Sequence, residues 1–410
     1  MAERIVEKHC PRCGHVILAG QSECPHCAGP GDSWRFPREG VLLASFVLLA
    51  LQSGATGFVS RMYHAKETKL GQEWFARGSA DLKAGKAANA LQDLRTALIY
   101  SPENDLYQLR LAEASAAAGH PGEARAYLVN LWIREPGDGE VNLELARLSV
   151  HEGATEDAIR YYHGAIYGAW EDNPTERQLS VRIEFCKYLL AIKSTASAQS
   201  ELISLASCVP PGDAGLQAQV GNFFLDAQEP QRALDEFRRA LAANRNEPGA
   251  QAGAGTAAFQ VGDYAQAASY LERAVHRNPE NKNAAELLET ARTIVNIDPF
   301  EMWLPDRQRR ARTIHNFEQA LKRLDECAQI HGVSLAVDTP NTELEKAYAD
   351  AHAMQPQINE RMLTQHPDLI QLAMQLVFRI EFVAADQCGA PKGVDLALQL
   401  LSAKYRNGKK

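Results

Sequence analysis

The sequence lacks the short motifs by which many enzymes are recognised. It contains no GxxxxGK[ST] loop, no HExxH pair and no GxSxG elbow, and beyond residue 27 its histidines show no metal-ligand spacing. It also lacks an excess of basic residues, because 43 Lys and Arg face 51 Asp and Glu, which gives a net charge of −8. Nucleic-acid binding, which depends on a basic surface, is therefore not expected. No small-molecule substrate is evident either.

Cysteine is scarce except near the N-terminus. Four of the eight cysteines form the pattern C-x2-C-x10-C-x2-C, in which each CxxC turn can direct two thiolates at one tetrahedral metal ion. The pattern predicts a structural Zn²⁺ site with four ligands: Cys10, Cys13, Cys24 and Cys27. The alternative is that these cysteines form disulfides or no site. Elsewhere, Cys327 and Cys388 could pair if their domain lies outside the cytoplasm, but the sequence alone does not pair them.

The two CxxC turns resemble the knuckles of the short zinc ribbon found at the N-terminus of many bacterial membrane and regulatory proteins. A proline follows Cys10 and Cys24, and Gly14 follows the first turn, although Ala28 stands where that family usually repeats glycine. The resemblance implies a zinc ribbon over residues 1–33. Because so short a ribbon has almost no hydrophobic core, bound metal would supply its folding free energy, on the order of 10 kcal/mol.

One long apolar run follows the ribbon. Residues 41–59 carry no charge, and 19 residues with a rise of 1.5 Å each span about 28 Å, close to the hydrocarbon thickness of a bilayer. We predict one transmembrane helix, which with its flanks occupies residues 34–61, and a linker over 62–70. The alternative is a signal peptide that is cleaved after Ala55.

Two signals disagree about the orientation of this helix. More Lys and Arg follow the apolar run than precede it, which weakly places the C-terminus in the cytoplasm. Thiolate ligands instead persist best in a reducing compartment, which favours a cytoplasmic ribbon. Since the charge difference is small, we expect a single-pass protein of the bacterial inner membrane with its N-terminus in the cytoplasm. Trp34 and Phe36 would lie at the level of the lipid headgroups.

From residue 71 the sequence repeats with a period of 34 residues. The sixth unit, residues 248–281, shows the pattern most completely, whereas the fourth, at about 179–212, is degenerate. The residues that carry the pattern in the sixth unit are Gly255, Gly262, Tyr264, Ala267, Leu271, Ala274 and Pro279. The pattern resembles tetratricopeptide repeats, each of which is a pair of helices. The resemblance implies an all-α solenoid of helical pairs over 71–295, with about six repeats and a capping helix.

The C-terminal residues, 296–410, leave the repeat pattern. Apolar residues at helical spacing predict four helices there, which would form a small helical bundle on the end of the array. This segment resembles no family. The loop at residues 386–393 contains Gly and Pro at helix ends, and we interpret it as a connection and not as a site.

Arrays of this kind are expected to bind a peptide along the inner surface formed by the first helix of each unit. By register, that groove would be lined by Phe75, Ser79, Leu82, Leu109, Glu113, Leu143, Arg147, Ile183, Lys187, Asn222, Thr256 and Phe259. Chaperone-binding members of the family hold a C-terminal carboxylate with a lysine and asparagine clamp, which Phe75 and Ser79 do not match. A mostly apolar inner face also suits self-association or docking of the C-terminal helices.

The order of these parts predicts a function in binding and not in catalysis. The chain would be a scaffold that is anchored in the lipid bilayer through residues 41–59 and binds other proteins through its repeats. A first alternative is a signalling or regulatory protein whose ribbon contacts a cytoplasmic partner. A weaker alternative is an unrecognised enzyme within residues 296–410, which would require a polar cleft with clustered titratable groups.

Overall fold

The computed structural model describes residues 8–18, 20–27, 38–335 and 341–407. Most of these residues are helical, which confirms the predicted all-α class. A hairpin of two short strands, β1 Lys8–His9 and β2 Val16–Ile17, pairs antiparallel near the N-terminus. The chain divides into two compact units, Met1–Leu131 and Trp132–Lys410.

The first unit is dominated by one long helix. Its helices are α1 Arg38–Lys83, α2 Ala87–Tyr100, α3 Asp105–Ala117 and most of α4 Pro121–Arg134. Helix α1 contains 46 residues and runs without interruption through 62–70, the segment that the sequence analysis assigns to a linker. Residues 62–70 contain neither glycine nor proline, so nothing in them ends a helix. The apolar run and the first helix of the first repeat are therefore one helix.

Small residues allow the helices of the first repeat to approach closely. A Cβ atom added to Gly78 would lie 2.7 Å from Cγ of Leu94, a distance that only glycine avoids. The Arg77 side chain binds Asp93 through two hydrogen bonds of 2.5 and 2.6 Å and lies 3.9 Å from the ring of Trp74. The buried residues Ala90, Leu91 and Leu94 of this repeat form one hydrophobic cluster with Leu111 and Ala114 of the second repeat. Packing around a glycine thus fixes the first helical pair.

The second unit continues the helical pairs. They are α5 Gly139–Glu152 with α6 Thr155–Tyr167, α7 Pro174–Ala191 with α8 Thr195–Cys208, α9 Ala214–Asp226 with α10 Pro230–Ala243, and α11 Ala250–Val261 with α12 Tyr264–Arg277. In the last pair, a Cβ atom on Gly255 would lie 2.5 Å from Cγ of Leu271, the same approach as in the first repeat. Helix α13, Lys282–Ile297, follows at the place predicted for the capping helix.

The degenerate fourth repeat differs from its neighbours in two ways. Helix α7 has 18 residues, whereas α5 has 14 and α9 has 13. A buried ion pair joins Arg182 to Glu201, and each of the two side chains is 10% exposed. It shares a third feature with the fifth repeat: in the turns after α7 and α9, Lys193 and Gln228 have φ angles of 57° and 61°, where the turn after α11 uses Gly262. A left-handed conformation costs a non-glycine residue about 1 kcal/mol, so these turns are strained.

The C-terminal segment is helical, as predicted. It consists of α14 Asp306–His331, α15 Glu343–Met354, a 3₁₀ turn at Gln355–Gln357, α16 Glu360–Gln365, α17 Asp368–Cys388 and α18 Val394–Asn407. Helix α17 packs against α14, α15 and α18, while α18 also contacts α13. Phe317, Leu324, Met374 and Ile380 are buried in this bundle. Pro356 and Pro367 explain why the second predicted helix ends and a short extra helix precedes α17.

Candidate functional site

The four N-terminal cysteines converge on one point. The sulfur atoms of Cys10 and Cys27 lie 3.9 Å apart, and those of Cys13 and Cys24 lie 3.6 Å apart. All four sulfurs lie within 4.8 Å of one another. In a tetrahedral site with metal–sulfur bonds of about 2.3 Å, neighbouring sulfurs lie about 3.8 Å apart. The four thiols could therefore hold one metal ion.

Backbone hydrogen bonds stabilise the two CxxC turns. The Gly14 amide donates a hydrogen bond of 2.9 Å to the carbonyl of Cys10, and Gly14 adopts a φ of 73°, which favours glycine. The Cys27 amide donates to the carbonyl of Cys24 at 3.1 Å. Hydrogen bonds from the backbone of Arg12 and Cys13 lower the pKa of the Cys10 thiol to about 7. These bonds stabilise the thiolate, which is the form that binds metal.

The N-terminal half of α1 presents apolar side chains on all sides. Among the described residues, α1 contains the one stretch that is long and apolar enough to cross a membrane. The side chains of Leu43, Phe46 and Leu51 are 66%, 70% and 67% exposed. A core helix of a water-soluble domain would bury such side chains. Trp34 and Phe36, predicted at the headgroup level, lie outside the described residues.

The predicted groove residues differ in exposure according to their position in the repeat. The fifth position of the first helix holds Phe75, Leu109, Leu143 and Ile183. Phe75 and Ile183 are half-buried against hydrophobic clusters, and the ring of Phe75 stacks on Tyr107 of the next repeat, with ring centroids 4.4 Å apart. Leu109 and Leu143 are only 4% and 7% exposed, so they offer little surface to a partner, and the groove remains a prediction.

The ninth and twelfth positions of the first helix differ from each other in polarity. At the twelfth, Leu82 packs against the core of its repeat and Phe259 makes an edge contact with Tyr264, with ring centroids 5.2 Å apart. The ninth position is polar in every unit and is occupied by Ser79, Glu113, Arg147, Lys187, Asn222 and Thr256. Arg147, Lys187 and Asn222 are exposed, and the other three are half-buried. Among the predicted groove residues, the exposed ones are thus polar.

Arg147 belongs to a polar cluster on α5, α6 and α7. It donates hydrogen bonds of 2.9 and 2.7 Å to the two carboxylate oxygens of Glu184 and one of 2.7 Å to Glu144. The Tyr162 hydroxyl donates to Glu184 at 3.1 Å. Burial raises the pKa of Glu144 and of Tyr162. Burial also opposes ionisation of Glu184, but the bonds from Arg147 prevail and lower the pKa of that carboxyl.

Glu144 and Glu184 are not among the groove residues predicted from the sequence. Each precedes a ninth-position cation by three residues, Arg147 or Lys187, and this spacing places two side chains on one helix face. That spacing was the available signal. Because its charges compensate one another, the cluster is suited to hydrogen bonding with a partner and not to activating a nucleophile.

The C-terminal bundle contains a covalent link and a buried ion pair. Cys327 of α14 and Cys388 of α17 form a disulfide, with Cα atoms 5.7 Å apart. Nearby, Arg323 binds the carboxylate of Glu381 and donates a 3.0 Å hydrogen bond to the carbonyl of Gly389. Glu381 is fully buried, and burial raises its pKa to about 7. Both features tie the end of α17 to α14.

A second group of charges lies where the bundle meets the capping helix. The buried Asp298 carboxylate accepts hydrogen bonds of 2.9 Å from Lys404 and from the hydroxyl of Tyr405. Burial and the neighbouring Asp298 charge raise the pKa of Tyr405. The titratable groups required by the enzyme alternative are thus present, but their charges are paired with one another. Such pairing suits a structural or binding role.

A family model matches two stretches of the helical pairs. The model of the tetratricopeptide repeat matches residues 75–135 and 221–281, which lie in the first, second, fifth and sixth pairs. These two stretches are therefore tetratricopeptide repeats. No curated protein sequence matches the chain.

Several solved repeat structures are similar to this chain. PilF of Pseudomonas aeruginosa is 15% identical with a TM-score of 0.39, and the match covers 54% of this chain and 97% of that one. YrrB, described as a TPR protein with an unusual peptide-binding site, is 16% identical with a TM-score of 0.33 over 47% and 95%. The C-terminal part of a repeat protein from Cytophaga hutchinsonii is 15% identical with a TM-score of 0.42 over 58% and 92%. Similarity at this level does not extend to function.

Proposed function

We propose that the protein is a single-pass membrane scaffold that holds a partner protein against the first helices of its repeats. The observation that carries this proposal is the ninth position, which is polar in every repeat and exposed at Arg147, Lys187 and Asn222. Repeat solenoids bind other proteins through side chains presented in register by successive repeats. A polar surface of this kind selects its partner through hydrogen bonds and charge pairing.

Site-specific crosslinking tests this proposal. A photoreactive amino acid placed at Lys187 or Asn222 should crosslink one and the same partner protein in intact membranes. The matched control is Gln231, an exposed residue on the second helix of the fifth repeat, where no crosslink to that partner is expected. Crosslinks that are equally frequent at Gln231, or a different protein at each position, would contradict binding through the ninth-position residues.

Zinc is the metal that best suits the N-terminal cysteines. Four thiolate donors with tetrahedral spacing favour Zn²⁺ and leave no open coordination position, so the ion would be structural. Cys10, Cys13, Cys24 and Cys27 would hold it. When bound, the ion would supply the folding free energy that a segment with so few buried side chains lacks.

The two kinds of cysteine chemistry favour one orientation in the membrane. Free thiols that bind metal persist in a reducing compartment, whereas a disulfide persists in an oxidising one. The four thiols precede the apolar stretch of α1, and the disulfide between Cys327 and Cys388 follows it. The protein would therefore hold its ribbon in the cytoplasm and its repeats outside. Sequencing the N-terminus of the mature protein tests the alternative of cleavage after Ala55.

One observation favours the regulatory alternative as a second candidate. Helix α1 has no break between its apolar stretch and the first repeat, so movement of one end would be transmitted to the other. Insertion of Gly-Gly between His64 and Ala65 would interrupt this connection without removing either part. A purely anchoring helix would tolerate the insertion, whereas a signalling helix would lose any output that depends on the ribbon.

A further inference from the structure

A furrow follows the C-terminal bundle and reaches the last repeat. Its central cavity, of about 660 Å³, lies between α17 and the end of α18. It shares Phe300, Lys404 and Tyr405 with a cavity of about 1050 Å³ beside α11 and α13. On the other side it shares Gln375 with a cavity of about 410 Å³ beside α15. The three cavities are neighbours that share lining residues, and we call them together the C-terminal furrow.

The floor of the central cavity is apolar. Met374 is buried there, and the rings of Phe300 and Phe378 are half-buried, so that part of each ring faces the cavity. Apolar surface at the bottom of a concave site gains free energy when a ligand side chain replaces water. The floor therefore suits one or two apolar side chains of a ligand.

One rim of the cavity carries two side-chain amides. Gln371 and Gln375 lie one helical turn apart on α17, and both are exposed. Neither amide has a hydrogen-bond partner among the residues that the structure describes. Each amide offers donors and an acceptor, which is what the backbone of an extended peptide also requires. Two such groups on one helix face can hold consecutive peptide units.

The opposite rim is positively charged. Lys404 and Arg406 line it, and none of the described residues around the central cavity is acidic. Lys404 is paired with Asp298, but Arg406 bonds only to the hydroxyl of Ser402, at 3.1 and 2.7 Å, and has no carboxylate partner in the described parts of the chain. Three of its five N–H donors thus remain for a ligand. This rim carries positive charge on a chain whose net charge is −8.

We propose that the central cavity of the C-terminal furrow binds an extended acidic peptide segment of another protein. The peptide backbone lies along Gln371 and Gln375, an apolar side chain rests on Phe300 and Phe378, and a carboxylate pairs with Arg406. Charge complementarity selects this occupant, because a carboxylate would supply the partner that Arg406 lacks. The site is separate from the ninth-position residues, so one scaffold could hold two partners or two segments of the same partner.

Three peptides measured on the full-length protein in nanodiscs of uncharged lipid test the proposal. The first is a fluorescent octapeptide with a central Leu between two Glu residues, the second replaces both Glu by Lys, and the third replaces Leu by Ser. Fluorescence anisotropy should show that the first binds at least about tenfold more tightly than either of the others. Equal binding of the three, or no binding of the first, would overturn the proposal.

Substitutions then locate the binding. Arg406→Glu should weaken binding of the Glu peptide by about tenfold or more and favour the Lys peptide, and Gln375→Ala should weaken the Glu peptide by about threefold. Arg245→Glu is the matched control, because Arg245 is also exposed but lies in the turn before α11. If Arg245→Glu has the same effect as Arg406→Glu, or if neither has any, the peptide binds elsewhere and the furrow is not its site.

Discussion

A disulfide holds the C-terminal bundle and a metal ion is proposed to hold the N-terminal cysteines, whereas packing holds the repeats between them. At the N-terminus four free thiols surround a point where one metal ion fits, and in the C-terminal bundle two cysteines are joined covalently. In the repeats, Cys186 is buried as a small packing residue and Cys208 is exposed. In the repeats, glycine and alanine allow neighbouring helices to pack closely, and this packing stabilises the repeats without a cross-link.

Each region is stabilised in a different way. The proposed ribbon has too few apolar residues to fold without metal. The repeats bury apolar faces against their neighbours and need no cross-link. The C-terminal bundle has a core, but its α14 and α17 are far apart in sequence, and the disulfide lowers the entropy of the unfolded chain. Substitutions in each region should therefore differ in size and in kind.

The largest effect is expected in the ribbon. Replacing Cys24 and Cys27 by Ser should abolish zinc binding and unfold the ribbon, since the metal is expected to contribute on the order of 10 kcal/mol. Zinc content measured by mass spectrometry should fall from one equivalent to none, while the helical circular dichroism of the repeats stays unchanged. Zinc that is retained in the double variant would refute the site.

The disulfide should give the next largest effect. Replacing Cys327 and Cys388 by Ser opens a loop closed over a separation of 61 residues, which corresponds to about 4 kcal/mol in the chain-entropy model. Denaturant unfolding measured without reductant, so that the native protein keeps its disulfide, should resolve this loss for the C-terminal bundle. Cys208→Ser, at an exposed free thiol, is the control and should change stability little. Equal stability of the double variant and the control would mean that the bond does not stabilise the bundle.

The repeats should respond to volume and not to redox conditions. Ala267 of α12 is fully buried, so Ala267→Trp should overpack the sixth repeat and destabilise it by roughly 1 to 3 kcal/mol or more. Ala242→Trp, at an exposed position of α10, is the matched control. A melting curve of Ala267→Trp that matches the control would show that the register of the repeats is wrong. If adding reductant changes the melting curve of the repeats, packing alone does not hold them.

The smallest effect is electrostatic and lies beside the disulfide. Because burial raises the pKa of Glu381 from 4.5 to about 7, the folded protein binds this proton more tightly than the unfolded chain. The stability that this proton contributes is complete below about pH 4.5 and is lost as the pH rises through about 7.

Glu381→Gln should flatten this dependence, measured by denaturant unfolding at several pH values. Glu326→Gln, at an exposed carboxyl on α14, should leave it unchanged. A slope that persists in Glu381→Gln would assign the dependence to another group, with Asp395 as the first candidate, because burial raises the pKa of that carboxyl as well.

The sequence predicts well what depends on local spacing. Gly78, Gly255 and Ala267 mark the contacts of the repeats because each helical pair is short and packs on its neighbour in the chain. The spacing of the N-terminal cysteines likewise predicts their convergence. The linker was expected at 62–70 because a membrane helix and a repeat were treated as separate, although the segment contains no residue that ends a helix.

Other features depend on contacts between residues distant in sequence. The furrow joins Phe300, Gln375 and Arg406 from three separate segments, and no local pattern marks their proximity. The same holds for Cys327 and Cys388. The groove prediction included Leu109 and Leu143 because register alone does not tell which positions of a helix are buried. The polarity of the ninth position was visible in the sequence, but its exposure was not.

The most direct test of the account is the side of the membrane on which each group of cysteines lies. A membrane-impermeant maleimide should label the exposed native thiol of Cys208 in intact spheroplasts, because the repeats are expected outside the cytoplasm. The ribbon cysteines should react only after the membrane is permeabilised and the metal is chelated. If Cys208 is labelled only after permeabilisation, the proposed orientation is contradicted. The protein would then not be a scaffold that presents its repeats outside the cell membrane.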